Sequence, residues 1–303
     1  MNSEHELGQF IPLHYHYHML SDRARMSGFR RAIEACVRPG DKVLELGGGT
    51  GVLSFFAAQQ ASQVWCVERN PELVSEARRL LTRNRNTERI EVIQADAFEY
   101  LPPEPVDVVI CEMLHVGLLR EKQLAVIKAF KERYAQRFPG PLPIFIPEAL
   151  LQAIQPVQQS FDFEGYYAPT ILFQDPVVGH SGTRELGAPV LYQQLTYDSP
   201  FDLACQWSGP LPITAGGTLN ALRIVTKNVL AILLDSHSTI DWHNQYLIVP
   251  LEKELPVKPG GTVQVAFRYT AGDPLSSFQP LVSVSHDFES APPHSDHAER
   301  GSS

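Results

Sequence analysis

Hydrophobic positions follow two different patterns in the two halves of the chain. Between residues 41 and 147, short apolar runs alternate with stretches whose apolar residues recur every three or four positions. Such runs are typical of parallel strands buried on both faces, and the wider spacing is typical of helices. The pattern predicts strands at residues 42–47, 63–68, 89–94 and 106–112, and helices at 51–60, 71–85 and 118–138. Strand and helix in alternation indicate a doubly wound, Rossmann-like α/β unit.

A further helix is predicted before this unit, at residues 21–38. Met26, Phe29, Ile33 and Val37 lie at three- and four-residue spacing and form one apolar stripe. The proline and glycine at positions 39 and 40 then interrupt the pattern.

The pattern changes after Pro147, where prolines become frequent and apolar runs are separated by turn residues. Strands are predicted at residues 150–155, 190–197, 203–207, 220–225, 230–234, 245–249, 262–269 and 281–285. This half is predicted to be antiparallel, as a barrel or a sandwich. We expect four regions: an N-terminal helical segment at 1–40, a Rossmann-like domain at 41–147, a β-barrel domain at 148–286 and a disordered tail at 287–303.

Composition narrows the class of protein. The 303 residues are 44% hydrophobic and 19% charged, which excludes a disordered, collagen-like or coiled-coil chain. A net charge of −9 disfavours nucleic acid as a partner and favours basic partners. There is neither an apolar run of the ~20 residues that span a bilayer nor a secretory signal, so no membrane partner is expected. The four cysteines form no CxxC pair, which predicts reduced thiols in a cytoplasmic protein.

A glycine-rich turn directly follows the first predicted strand. Glycines let a ligand approach the backbone closely, and the following helix offers free N–H groups. A dinucleotide site would have GxGxxG, but Val52 occupies the position of its last glycine. The pattern Glu45-x-Gly47-x-Gly49-x-Gly51 resembles the cofactor loop of class I S-adenosylmethionine methyltransferases. That resemblance implies a loop that holds the amino-acid end and the ribose of S-adenosyl-L-methionine.

Two further acidic residues lie at strand ends. Glu68 ends the second strand, where a carboxylate can accept both ribose hydroxyls. Asp96 and Ala97 follow the third strand, where an adenine amino group can be recognised. Each carboxylate alone is also explained as an ordinary strand-end residue, but together with the glycine loop they favour a cofactor site.

A pair of glutamates follows the fourth strand. Glu112 and Glu121 have the spacing of the "double-E" loop, and this segment resembles the protein arginine methyltransferases. A guanidinium is planar and always charged, so two carboxylates can clamp it through charge-assisted bidentate bonds and orient one nitrogen. The alternative is that Glu121 lies on a solvated helix face and the residues between the glutamates belong to the core.

The resemblance extends over residues 10–285, nearly the whole chain. It implies that Arg25 pairs with the cofactor carboxylate and that Met19 lies beside the target nitrogen. Trp242 aligns with the family's Thr-His-Trp loop, which faces the active site. Glu112 and Glu121 are the implied catalytic residues, and Met19 and Trp242 the implied substrate-binding residues.

The sequence also departs from the family pattern. Only Phe10 partly replaces the aromatic residues of the family's N-terminal segment. Asp241 stands where the family has the histidine that pairs with an aspartate, here Asp22. Two close carboxylates would repel each other. The alternatives are that a basic group lies between them, that His237 or His243 takes the place of the family histidine, or that Asp22 and Asp241 do not meet.

The prediction is therefore an S-adenosylmethionine-dependent methyltransferase that acts on a guanidino nitrogen of arginine. The acceptor is an arginine-containing protein, free arginine or an arginine-derived metabolite. The alternative is a non-catalytic partner with the same fold that regulates an active subunit. A nicotinamide-dependent oxidoreductase is disfavoured because GxGxxG is absent. The family resemblance also implies a homodimer.

Histidines alternate with other residues near the N-terminus. His14, His16 and His18 would share one face of a strand and could bind a transition metal. In a helix, only His14 and His18 share a face. Because no fixed fourth ligand accompanies them, no metal site is expected.

Overall fold

The computed structural model describes residue 11, residues 13–176 and residues 179–284. Phe10 and the tail predicted at residues 287–303 lie outside this part of the chain. The domain limits given above remain predictions.

The first half of the described chain is a five-stranded parallel sheet flanked by helices. The helices are α1 (Leu13–Ser21), α2 (Arg23–Cys36), α3 (Val52–Ala57), α4 (Pro71–Leu81) and α5 (Gln123–Arg137). The strands are β1 (Lys42–Leu46), β2 (Gln63–Glu68), β3 (Ile90–Gln94), β4 (Val108–Cys111) and β5 (Ile144–Ile146). Their order in the sheet is β3-β2-β1-β4-β5, which confirms the doubly wound prediction. The order reverses between β1 and β4, and ligands of such sheets bind at the carboxyl ends of the strands at that point.

Local signals explain several helix boundaries. Asp22 caps α2 by accepting a hydrogen bond from the backbone N–H of Arg25, at 2.9 Å. Helix α5 begins later than predicted, because Leu118 and Arg120 have φ values of 57° and 65°. That left-handed conformation cannot continue a right-handed helix.

The second half is antiparallel. A seven-stranded sheet contains β6 (Ala149–Gln159), β9 (Leu172–Gln174), β10 (Thr183–Glu185), β11 (Val190–Thr196), β13 (Gly217–Leu233), β14 (Ser238–His243) and β15 (Tyr246–Val257). A three-stranded sheet contains β12 (Ala204–Pro212), β16 (Thr262–Thr270) and β17 (Leu281–Val284). A short hairpin of β7 (Asp162–Phe163) and β8 (Tyr166–Tyr167) follows β6. The predicted fold class, Rossmann-like followed by antiparallel β, is confirmed.

Two of the predicted strands in this half form one continuous strand. The runs at 220–225 and 230–234 are parts of one strand, β13, because the polar residues between them are paired inside the sheet. Thr226 and Asn228 are fully buried and bond to Gln152 and Asn244. Strand β14 was not predicted, because it is only six residues long and Ile240 and Trp242 are its only large apolar residues.

One main core joins the two halves. Phe29 of α2 is fully buried, and its ring centroid lies 5.9 Å from that of Trp242 on β14. The four cysteines are free thiols. No helix of the described residues is both long enough and apolar enough to span a bilayer.

Candidate active site

A cavity of about 1160 Å³ lies at the carboxyl ends of β1, β2 and β4, beneath α1 and α2 and beside β14. Its size suits a cofactor-sized ligand together with a second small molecule. The predicted site residues that line it are Met19, Arg25, Glu45, Gly47, Gly49, Glu68, Asp96, Ala97, Glu112, Glu121 and Trp242. Gly51 does not line it.

The glycine loop forms one wall with its backbone. Gly47 and Gly49 have φ values of 80° and 53°. A Cβ at Gly47 would lie 3.0 Å from Cγ of Met113, and one at Gly49 would lie 2.8 Å from Cε1 of His16. Gly51 has a φ of 79° and faces Leu81, so its place is in the turn that opens α3.

The carboxylates of Glu45 and Glu68 accept hydrogen bonds from backbone N–H groups in and after the glycine loop. The carboxylate of Glu45 is buried and accepts a hydrogen bond from the backbone N–H of Ser54 at 2.9 Å. Burial raises the pKa of Glu45 to about 7. The carboxylate of Glu68 accepts from the N–H groups of Gly49 at 2.9 Å and Asn70 at 2.8 Å. Glu45 therefore fastens the loop to α3, and Glu68 is held in a fixed orientation at the end of β2.

Asp96 lies farther along the same wall. Its carboxylate accepts from the backbone N–H of Phe98 at 2.9 Å and lies 3.3 Å from a guanidinium nitrogen of Arg69. Ala97 lines the cavity beside it.

His16 is a cavity residue that the sequence argument missed. Because α1 is helical, His14, His16 and His18 do not share a face as they would in a strand. The ring of His16 packs against Gly49, and its Nε2 is buried without a hydrogen-bond partner among the described residues. Burial lowers the pKa of His16. The three-residue spacing from His16 to Met19, which places both on one helix face, was the signal available.

The two glutamates lie in the same cavity. Glu112 follows β4 and forms an ion pair with Arg25, and their side chains are only 9% and 8% exposed. Burial, with the charge of Glu112, raises the pKa of Glu121 to about 8. The pair forms a desolvated acidic surface. A bound cation would offset the free-energy cost of burying its negative charge.

Gln123 holds the start of the glutamate loop and was not identified from the sequence. It is 1% exposed. Its amide oxygen accepts from the N–H of Met113 at 2.8 Å, and its amide nitrogen donates to the carbonyl of Cys111 at 2.6 Å. These bonds fix the backbone on both sides of Glu112. A glutamine inside a predicted helix carries no signal of this role.

The antiparallel half also fixes the glutamate loop. Asn244 donates to the carbonyl of Leu114 at 3.2 Å. Gly117 donates its N–H to Thr226 at 2.9 Å and accepts from the hydroxyl of Tyr269 at 2.6 Å. The loop therefore lies between the two halves and is positioned by both.

The structure gives Asp241 a basic partner. Asp241 forms an ion pair with Lys227 of the neighbouring strand at 2.7 Å. Asp22 is occupied as the cap of α2. Trp242, next to Asp241, is 9% exposed and lies in the cavity wall.

Comparison with known proteins identifies the class. A family model described as a methyltransferase domain matches residues 43–135. The arginine N(omega)-methyltransferase of Streptomyces achromogenes is 30% identical over 273 residues, which cover 82% of this chain and 74% of that protein. An uncharacterized protein of Methanothermobacter thermautotrophicus is 29% identical over 265 residues, which cover 88% of this chain and 96% of that protein.

Solved structures agree on the fold. The Trypanosoma brucei PRMT1 enzyme-prozyme complex with AdoHcy superposes with a TM-score of 0.69 at 16% identity, over 89% of this chain and 96% of that one. The family match and the Streptomyces relative define a methyltransferase, and the fold agrees with that class. Within that class, the chain belongs to the same family as the arginine N(omega)-methyltransferase of Streptomyces achromogenes.

The residues of the cavity fit the cofactor. Gly47 and Gly49 line the cavity with backbone alone, so a ligand can approach that backbone closely. The carboxylate of Glu68 keeps lone pairs for hydroxyl donors after accepting two backbone bonds. The unpartnered Nε2 of His16 offers a further polar contact.

Proposed function

We propose that the protein transfers a methyl group to a terminal guanidino nitrogen of arginine, presented by a protein, as the free amino acid or in an arginine-derived metabolite. The observation that carries the proposal is the pair Glu112 and Glu121, which lies in the same cavity as the glycine loop. The 30% identity to an arginine N(omega)-methyltransferase supports it.

The two carboxylates would bind and orient the acceptor. Charge-assisted bonds to Glu112 and Glu121 hold the guanidinium plane and draw its positive charge away from the nitrogen that reacts. When bound, S-adenosylmethionine supplies the electrophilic methyl group. Holding that nitrogen in line with the methyl group accounts for much of the rate, without a covalent enzyme intermediate. The raised pKa of Glu121 suits it to take up the proton that the methylated nitrogen releases.

The remaining predicted residues would complete the site. Arg25, which contacts Glu112, is proposed to pair with the cofactor carboxylate. Gly47, Gly49, Glu68, Asp96 and Ala97 are proposed to hold the rest of the cofactor. Met19 and Trp242 are proposed to wall the acceptor pocket and exclude water. A homodimer remains a prediction from the family resemblance.

The test is a transfer assay with methyl-labelled S-adenosylmethionine. L-arginine and an Arg/Gly-rich peptide are offered in parallel, and cofactor binding is measured by calorimetry. We expect label in at least one acceptor. Cofactor binding without label in either acceptor would contradict the proposal and favour the non-catalytic partner.

The pH dependence of the reaction is a further prediction. Glu121 must be ionised to clamp a guanidinium, and its pKa in the folded protein is raised from 4.5 to about 8. We therefore expect kcat/KM to rise about tenfold per pH unit below this pKa and to level off above it, as a single ionisation of the free enzyme requires. Initial rates at saturating cofactor across pH 6 to 9 measure this, and a flat profile would contradict it.

The same shift affects stability, with a definite sign. Between pH 4.5 and about pH 8 the unfolded chain releases the proton of Glu121 while the folded chain retains it. The free energy of unfolding therefore falls as the pH rises through this window. Glu121→Gln should reduce that slope in denaturant titrations.

A further inference from the structure

Two arginines on the cavity wall, Arg23 and Arg120, have no side-chain partner among the described residues. The cationic side chains that line the cavity are Arg23, Arg25, Arg69, Arg120 and Lys122. Arg25 and Arg69 are each held by a carboxylate. The ammonium of Lys122 donates to the carbonyl of Gly272 at 3.0 Å. The guanidinium of Arg120 is exposed and makes no ion pair or hydrogen bond with any described residue.

The backbone holds Arg120 in a strained position. Its φ of 65° lies in the left-handed region, which a residue other than glycine adopts only at an energetic cost. Two short bonds to the turn after β16 maintain it. The N–H of Arg120 donates to the carbonyl of Asp273, and the carbonyl of Leu118 accepts from Gly272, both at 2.7 Å. The backbone of Arg120 is therefore fixed at the cavity by contacts with the second half of the chain.

Arg120 lies close to the proposed clamp. It directly precedes Glu121, so their Cα atoms are about 3.8 Å apart. Its positive charge counteracts the rise in the pKa of Glu121 that burial and Glu112 cause. It also contributes, after burial, to lowering the pKa of His115 to about 4. Arg23, the other cation without a partner among the described residues, lies instead at the start of α2.

A free cation beside an acidic clamp distinguishes between acceptors. It repels an Arg/Gly-rich peptide, which brings several positive charges and no nearby carboxylate. It attracts an acceptor with a guanidinium at one end and a carboxylate at the other, because arginine binds carboxylates through paired N–H donors. An arginine residue within a protein has no such carboxylate, since its carboxyl group is in a peptide bond.

Resting on the proposed function, we propose that Arg120 pairs with a carboxylate of the acceptor and selects a small guanidino acid, such as free L-arginine, over arginine in a protein. Arg120 is then a specificity-determining residue, and Glu112 and Glu121 act on the other end of the same molecule. The pairing requires only that the acceptor's carboxylate reaches the guanidinium of Arg120 while the acceptor's own guanidinium is held by Glu112 and Glu121.

The test compares kcat/KM for L-arginine, agmatine and an Arg/Gly-rich peptide. Agmatine has the guanidinium and the amine of arginine but lacks the carboxylate. The wild-type protein should prefer L-arginine to both other acceptors. Arg120→Gln should lower the ratio of kcat/KM for L-arginine over agmatine by about 10- to 100-fold, as expected for loss of a charged hydrogen-bonded pair. Arg120→Lys should retain part of that ratio.

Control measurements distinguish failure of this inference from failure of the proposed function. Arg31→Gln changes an exposed arginine of α2 that does not line the cavity, and it should leave the ratio unchanged. Cofactor affinity of the Arg120 variants, measured by calorimetry, shows that the site is folded. This inference would be overturned if agmatine or the peptide had a kcat/KM equal to that of L-arginine. It would also be overturned if Arg120→Gln left the ratio of L-arginine over agmatine unchanged. Methylation of guanidino groups would stand in either case. No methylation of any of the three acceptors by the wild type would overturn the proposed function and this inference with it.

Discussion

Glu121→Gln should lower kcat/KM for methyl transfer by roughly 10²- to 10⁴-fold. Glutamine keeps the shape of the side chain but removes the charge, and loss of one partner of a desolvated charged pair costs about 2–5 kcal/mol. Glu112→Gln should have an effect of similar size. Because Glu112 also contacts Arg25, its loss can change cofactor affinity, so Glu121 gives the cleaner test. The measurement is the initial rate of label transfer.

The matched control is Glu132→Gln, which changes an exposed glutamate of α5 away from the cavity. It should transfer methyl at the wild-type rate. Calorimetry should show cofactor binding by Glu121→Gln within about threefold of the wild type, since this residue is assigned to the acceptor. A Glu121→Gln protein that is folded and transfers methyl within threefold of the wild-type rate would refute the clamp.

Gly47→Ala should weaken cofactor binding by about 10- to 100-fold. The added methyl group would lie 3.0 Å from Cγ of Met113, so this side chain of the cavity wall would have to shift beside the proposed cofactor site. Overfilling a packed site costs about 1–3 kcal/mol. The measurement is the dissociation constant of S-adenosylmethionine by calorimetry.

Gly260→Ala separates this steric effect from backbone strain. Gly260 has a φ of 83°, close to the 80° of Gly47, but a Cβ there would meet nothing within 4 Å. Both variants carry the same kind of backbone strain, and only Gly47→Ala crowds a side chain of the cavity wall. Equal cofactor affinity in the two variants would remove Gly47 from the proposed cofactor site.

The first half of the fold was predictable because its signals are local. Nearly continuous apolar runs define β1 to β4, and the glycines between β1 and α3 mark the turn. The order of strands in the sheet then brings the ends of β1, β2 and β4 together, and with them Gly47, Glu68 and Glu112. Their shared cavity follows from the topology of a doubly wound sheet.

The rest depended on contacts that no local pattern encodes. Strand β14 and the middle of β13 carry polar residues that pair with distant side chains, such as Asn228 with Asn244. The left-handed backbone at Arg120 is held by Asp273, which lies far along the chain. The ion pair of Asp241 with Lys227 likewise requires the register of β13 and β14. Family resemblance marked Asp241 as unusual but did not identify its partner.

The atom that receives the methyl group is the most direct test of the account. Tandem mass spectrometry of the product formed from labelled S-adenosylmethionine and L-arginine, or from the Arg/Gly-rich peptide, locates that atom. We expect the label on a terminal guanidino nitrogen, and its loss in Glu121→Gln. Label on the α-amino group, on a carboxylate or on another side chain would contradict the assignment of Glu112 and Glu121 as a guanidinium clamp.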